Sequence, residues 1–207
     1  PRALLTPPAR PQWPVHFAAV SFSPGASPPQ NRAAPVPPVT DRLAMVAIAT
    51  LPYERFFASD SEVFAHGPPY TVDTLRHFRE RFPDATLYFV LGSDSFSQLT
   101  TWDRWRELVD SAHLVVLHRA HMWGEDLAAR VPEDLRHRLR LVVPFEEVAD
   151  PDGPTIYLLD HEPFPISGTS IRERQRRGLP IRELVPHEVH SYIEKYDLYL
   201  TTGDDAD

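Results

Sequence analysis

The sequence contains no cysteine. That absence excludes disulfide frameworks, thiolate nucleophiles and cysteine-ligated zinc, so any chemistry has to come from His, Asp, Ser, Thr, Arg and the backbone. Lysine is almost missing as well: Lys195 is the single one, and the other basic residues are arginine, a skew that fits a GC-rich genome. The formal net charge is -8, and the arginines are scattered. No basic stripe of the kind that neutralises a phosphodiester backbone is present, so nucleic acid is not an expected partner. No apolar run approaches the roughly 18 to 20 residues that cross a bilayer, and no basic patch leads into an apolar stretch near Pro1. The expectation is a soluble, cytoplasmic protein with no membrane partner. Glycine is sparse, at eight residues. Neither common Gly-rich phosphate loop occurs, nor does a G-x-S-x-G elbow, which argues against a serine triad.

What is present is enough for one ordinary core: 207 residues, 42% of them hydrophobic. Proline divides the chain, with 11 of its 23 prolines in residues 1–38. Proline lacks the N–H that an interior helix or a central strand needs. Residues 1–38 therefore read as an irregular N-terminal segment, with one short strand inside His16–Phe22. Residues 39–200 read as the α/β domain and 201–207 as an acidic tail.

From Thr40 the pattern changes. Thr40 or Asp41 is placed to cap a helix running to about Thr50, ahead of Pro52. Phe56–Ser59 reads as a short strand. Leu75, Phe78 and Phe82 fall at helical spacing before Pro83. Ala85–Leu91 and His113–Leu117 are continuous apolar runs of strand length, as expected of parallel strands covered on both faces. Helices are expected at 102–111, 125–138, 169–177 and 187–195, with strands at 141–143 and 155–159. This alternation predicts a doubly wound parallel sheet flanked by helices, whose ligands bind beyond the carboxyl ends of the strands.

Residues just after those strands are the candidates. Asp94, after the strand ending at Leu91, reads either as a carboxylate accepting from a ligand hydroxyl or as a helix N-cap. Trp102 and Trp105 read as core residues on one helix, or, for Trp102, as a flat cleft wall for stacking. Ile166-Ser-Gly-Thr-Ser-Ile-Arg172 follows the strand at 155–159 and opens a helix. Ser167 and Thr169 supply hydroxyls, the first-turn N–H groups point outward, and Arg172 lies one turn in. That combination favours phosphate oxygens, the alternative being an ordinary Ser/Thr cap with a solvated arginine. Arg119, just past the strand ending at Leu117, is a further phosphate candidate. His118/His121 and His187/His190 are each three apart, yet lack an acidic partner at metal-ligand spacing, so no protein-held metal is expected.

These segments resemble, in order and spacing, the bacterial nicotinate-nucleotide adenylyltransferases. The matching stretches are Asp41–Met45, Gly67–Thr74, Phe89–Ser95, Thr101–Trp105, Ala112–Val116 and Ile166–Arg172, and the likeness covers about residues 40–199, with a fainter match at Val20–Pro29. The resemblance implies a Rossmann-like nucleotidyltransferase fold that transfers an adenylyl group from ATP, carrying Mg2+, to nicotinate mononucleotide in NAD synthesis. By position it implies ATP contacts from Ser167, Gly168, Thr169, Ile171, Arg172 and Arg119, with Arg172 as the catalytic cation. It implies nicotinate mononucleotide contacts from Tyr70, Thr71, Asp94 and Trp102. Homo-oligomerisation is left open. The family opens with a strand, a helix and a G-x-F-D-P-x-H-x-G-H segment. That segment is not recognisable in residues 1–19, which hold only His16 and no glycine. The expectation at this end is a strand-helix unit missing or replaced, through a truncated start, a shifted reading frame, or divergence to a catalytically impaired nucleotide-binding relative.

Overall fold

The computed structural model describes residues 17–25, 36–64, 70–118, 125–142, 153–159 and 166–200. In chain order its elements are β1 (Val20–Phe22), α1 (Val39–Thr50), β2 (Phe56–Ala58), α2 (Thr71–Arg81), β3 (Tyr88–Gly92), α3 (Ser93–Phe96), α4 (Trp105–Ser111), β4 (His113–Leu117), α5 (Glu125–Ala129), β5 (Leu139–Val142), β6 (Ile156–Leu159), α6 (Gly168–Arg176) and α7 (His187–Lys195). Two 3-10 turns, Leu99–Thr101 and Glu133–Arg138, stand between them. The chain is α/β, and every strand pair is parallel. The described residues divide into two compact units, one from 17–64 with 166–200 and one from those between 70 and 159.

The second unit holds the larger sheet, in the order β3-β4-β6-β5. Its two central strands, β4 and β6, are apolar and buried along almost their whole length, as suits strands flanked on both sides within a parallel sheet. Leu114, Val116, Ile156 and Leu158 are buried in it, and Val72 and Leu75 of α2, Leu108 and Val109 of α4, and Leu127 of α5 close over them. Leu108, Leu114 and Leu127 have no exposed surface at all. At the amino end of this sheet the buried His113 ring stacks on Tyr88 at 4.8 Å, and its Nδ1 accepts from the Thr155 N–H at 3.1 Å. Burial pushes the His113 imidazole below its usual range.

The first unit pairs β1 with β2 through α1, with Val20 opposite Phe56 and Phe22 opposite Ala58. Its core joins Ile171, Ile181, Val185, Val189 and Ile193 to Met45, Ile48 and Ala49 of α1. Val189 and Ile193 lie one turn apart on α7, which packs on α1, and the Tyr192 hydroxyl donates to Asp41 Oδ1 at 2.9 Å. Among the described residues no strand precedes β1, and the first strand of each sheet has one strand neighbour.

Three readings of the sequence need correction. The helix expected over 125–138 is broken after Ala129, and Pro132 stands as the N-cap of the 3-10 turn that follows. Its ring and missing N–H interrupt an α-helical ladder. Trp102 and Trp105 do not share a helix: Trp102 is extended, with ψ 149°, and α4 begins at Trp105, after Arg104 has entered the left-handed region. The N-cap of α1 is Pro38, whose carbonyl accepts from the Arg42 N–H, in place of Thr40 or Asp41.

Candidate active site

The carboxyl ends of the strands are where a sheet of this kind binds ligands. In the second unit, β3 ends at Gly92, which caps the short α3 through its backbone with no side-chain bond. Asp94 is therefore not the N-cap. It lies exposed in the first turn, and its Oδ1 accepts from the Ser95 N–H at 2.9 Å. Trp102 lies half-buried beyond the 3-10 turn, its ring edge-on to Phe89 at 6.2 Å. Part of that indole rests against the core, as the core reading expects.

Tyr70 is the N-cap residue of α2, in extended conformation and 42% exposed. Its carbonyl accepts from the Asp73 and Thr74 N–H groups, at 2.9 and 3.2 Å. Thr71, the first helical residue, is half-buried. Beside them lies a charged group that the sequence had not suggested. Arg104 donates from Nη1 to Asp73 Oδ1 at 2.9 Å and from Nη2 to Oδ2 at 2.5 Å, and its Cζ lies 5.7 Å from the centroid of the Tyr70 ring. The bond from Arg104 is the main reason that the Asp73 carboxyl falls below the usual carboxylate range.

In the first unit, the segment after Ile166 builds an anion-directed helix end. Ser167 caps α6: its hydroxyl accepts from the Ser170 N–H at 3.0 Å, while Ser170 Oγ accepts from the Ser167 N–H at 3.2 Å. This is the reciprocal capping box, which ends the helix without a charged residue. It uses the third N–H of the turn, and the Ile171 N–H goes to the Ser167 carbonyl. The Gly168 and Thr169 N–H groups have no hydrogen-bond partner among the described residues. Arg172 folds back over this turn, donating from Nη2 to Thr169 Oγ1 at 3.0 Å. Its Nη1 comes so close to Gly168 that a Cβ there would sit 3.2 Å away. The Gly168 and Thr169 N–H groups, one hydroxyl and one guanidinium thus gather at a helix N-terminus, where the peptide dipoles also favour negative charge.

The cap and the Thr169–Arg172 arrangement thus use different atoms. Ser167 performs the cap, while Thr169, Arg172 and the Gly168 and Thr169 N–H groups gather beside it. Ile171 differs from its neighbours, because its side chain is buried in the core and its N–H is taken. Tyr199 adds a feature outside the motif. Burial raises its phenol, and the nearby Arg172 and Arg42 act in the opposite direction. Arg119 and His121 lie outside the described residues. His190 Nδ1 is 3.3 Å from Glu194 on its own helix, and among the described residues no three His, Asp or Glu side chains are grouped to hold a metal ion. No helix among them is long and apolar enough to cross a membrane.

Comparison with known proteins covers most of the chain. Residues 16–174 match the family described as cytidylyltransferase-like. The "Probable nicotinate-nucleotide adenylyltransferase" of Geobacter sulfurreducens is 35% identical over 184 residues, covering 89% of this chain and 85% of that protein. The protein of the same description from Corynebacterium glutamicum is 34% identical over 189 residues, covering 91% and 78%. Among solved structures, Plasmodium falciparum nicotinic acid mononucleotide adenylyltransferase complexed with NaAD superposes with a TM-score of 0.61 at 20% identity, over 87% of this chain and 82% of that one. At that identity the likeness establishes the fold, and it agrees with the parallel strands and flanking helices described above. On the identities and coverage of the curated relatives, this chain belongs to the nicotinate-nucleotide adenylyltransferase family of nucleotidyltransferases.

Proposed function

We propose that the chain is a nicotinate-nucleotide adenylyltransferase, joining the adenylyl group of ATP to nicotinate mononucleotide to give deamido-NAD and pyrophosphate. The observation that carries this reading is the helix end at Gly168–Arg172, where N–H groups, the Thr169 hydroxyl and a guanidinium converge on one turn. In the reaction, a phosphate oxygen of the mononucleotide attacks the α-phosphorus of ATP, the bond from that phosphorus to the bridging oxygen breaks, and pyrophosphate leaves. No covalent intermediate on the protein is needed, so catalysis is alignment plus stabilisation of phosphate charge. Arg172 and Thr169 hold ATP phosphates, with the Gly168 and Thr169 N–H groups. Tyr70, Thr71 and Trp102 hold the nicotinate ring, and Asp94 accepts from the mononucleotide. Magnesium enters as part of the substrate, on phosphate oxygens and water, as this cation prefers.

A second reading has its own observation. Within residues 1–39 the only histidine is His16, so the paired histidines that the family uses on ATP phosphates have no counterpart there. On that reading the chain binds both nucleotides and turns over slowly. Mass analysis of products after incubation with Mg-ATP and nicotinate mononucleotide, with pantetheine phosphate as the competing acceptor, tests the leading reading. A deamido-NAD product that requires the pyridine acceptor supports it, and a product formed only from pantetheine phosphate contradicts it.

A further inference from the structure

We propose that Arg104 is a positioning residue for the ring-binding part of the site: it clasps Tyr70 and the first turn of α2 to the turn that carries Trp102. The inference rests on the assignment of Tyr70 and Trp102 to the nicotinate ring.

The backbone is the first indication. Arg104 sits at φ 46° and ψ 37°, a left-handed conformation that glycine or asparagine adopts far more readily than a long side chain. Such an arrangement persists only where the surroundings over-determine it, and it concentrates at functional sites. Here the surroundings act on the guanidinium. Its Nη1 and Nη2 donate to the two oxygens of Asp73, its Nε donates to Asp103 Oδ2 at 2.7 Å, and the Tyr70 ring lies 5.7 Å from Cζ. All three nitrogens are engaged by carboxylates, so the cation acts through Tyr70 and not on a ligand phosphate.

The geometry joins two segments that are 31 residues apart in sequence. Asp73 belongs to the same turn as Tyr70, because its N–H and that of Thr74 bond to the Tyr70 carbonyl. On the other side, Arg104 follows Trp102 by two residues, and Trp102 is itself fixed by its N–H on the Leu99 carbonyl at 3.0 Å and by Phe89 against its edge. A single exposed ion pair contributes little. A bidentate pair, a second carboxylate and a cation over an aromatic face form a network with defined geometry, which is a different case.

Arg104→Gly tests this directly, since glycine suits the backbone while removing the clasp. Three quantities would be measured on the full chain: the melting temperature, the dissociation constants of nicotinate mononucleotide and Mg-ATP, and hydrogen exchange at the Asp73 and Thr74 amides without ligand. The expected result is a melting temperature held or raised, mononucleotide binding weakened about fivefold to tenfold, ATP binding changed less than about twofold, and the two amides exchanging about tenfold faster. Asp73→Asn, which leaves α2 its helical sequence, should reproduce the split between the two ligands. Unchanged mononucleotide affinity with unchanged exchange overturns the proposal, as does an equal loss for both ligands. Faster exchange in a chain whose unsubstituted form binds no nicotinate mononucleotide overturns the ring assignment, and with it the ligand half of the proposal, while the clasp itself stands.

Discussion

Arg172 turns back along its own helix and donates to the hydroxyl of Thr169, three residues earlier, at 3.0 Å. The guanidinium is thereby held over the first turn of α6, next to the Gly168 and Thr169 N–H groups. A cation on a long side chain ordinarily samples many rotamers, and ordering it on binding has an entropic cost. The bond to Thr169 removes part of that cost beforehand.

The first prediction follows from this placement. Arg172→Ala should weaken ATP binding about tenfold to a hundredfold, the range for charged hydrogen bonds of roughly 1.5 to 3 kcal/mol. Nicotinate mononucleotide binding should change much less. Isothermal titration of each ligand checks it, and equal losses with an intact fold would make Arg172 a structural residue.

Gly168 is predicted to matter through the same guanidinium. In Gly168→Ala the new Cβ would lie 3.2 Å from Arg172 Nη1, close enough to displace a flexible side-chain end by a few tenths of an ångström. ATP affinity should fall by no more than about threefold, because the N–H donors remain, and stability should hold, because alanine favours the helix. Titration and thermal melting read both quantities, and a loss as large as that of Arg172→Ala would mean that the backbone at 168 has another role.

The stability of the second unit should depend on pH through His113. Its imidazole is kept below its usual range by burial, while the unfolded chain titrates near 6.5. Between those two values the unfolded state binds the extra proton, so stability is complete above about pH 6.5 and declines as pH falls toward the folded value. Thermal melts from pH 8 to 5 should show this decline. His113→Gln, which retains an acceptor for the Thr155 N–H, should flatten it, and superimposable pH profiles would contradict the assignment.

Leu108 has no exposed surface in the core between the sheet and α4. Leu108→Ala should cost about 2 to 5 kcal/mol by lost transfer energy and the cavity left behind. Urea denaturation would measure it, and a cost below about 1 kcal/mol would show that this layer collapses to fill the space.

How far the sequence revealed this depends on how local each signal is. β4 and α7 have the bounds read from the pattern, His113–Leu117 and His187–Lys195, because an unbroken apolar run and a clear helical period need no distant partner. The α6 turn was equally legible, since its bonds are local: Ser167 with Ser170, and Arg172 with Thr169, each three residues apart. The helix expected after Glu125 stops short because Pro132 cannot continue it, a local signal that the sequence itself carries. The Trp102 turn was misread because nothing in Trp-Asp-Arg-Trp signals a left-handed arginine. Asp73 and Arg104 could not be paired from the sequence at all: both are ordinary surface residues until the fold brings α2 beside α4. Asp41 likewise looked like a cap, and its carboxylate instead receives the Tyr192 hydroxyl from the far end of the chain.

The central claim is the proposed function, that this chain joins the adenylyl group of Mg-ATP to nicotinate mononucleotide with the Gly168–Arg172 turn on the phosphates. Two readings on one preparation test it most directly: titration with nicotinate mononucleotide, and pyrophosphate release with Mg-ATP and the mononucleotide together. The account predicts mononucleotide binding together with pyrophosphate release that requires both Mg-ATP and the mononucleotide. Binding without mononucleotide-dependent pyrophosphate release would contradict it, and would favour the second reading, a nucleotide-binding relative that turns over slowly.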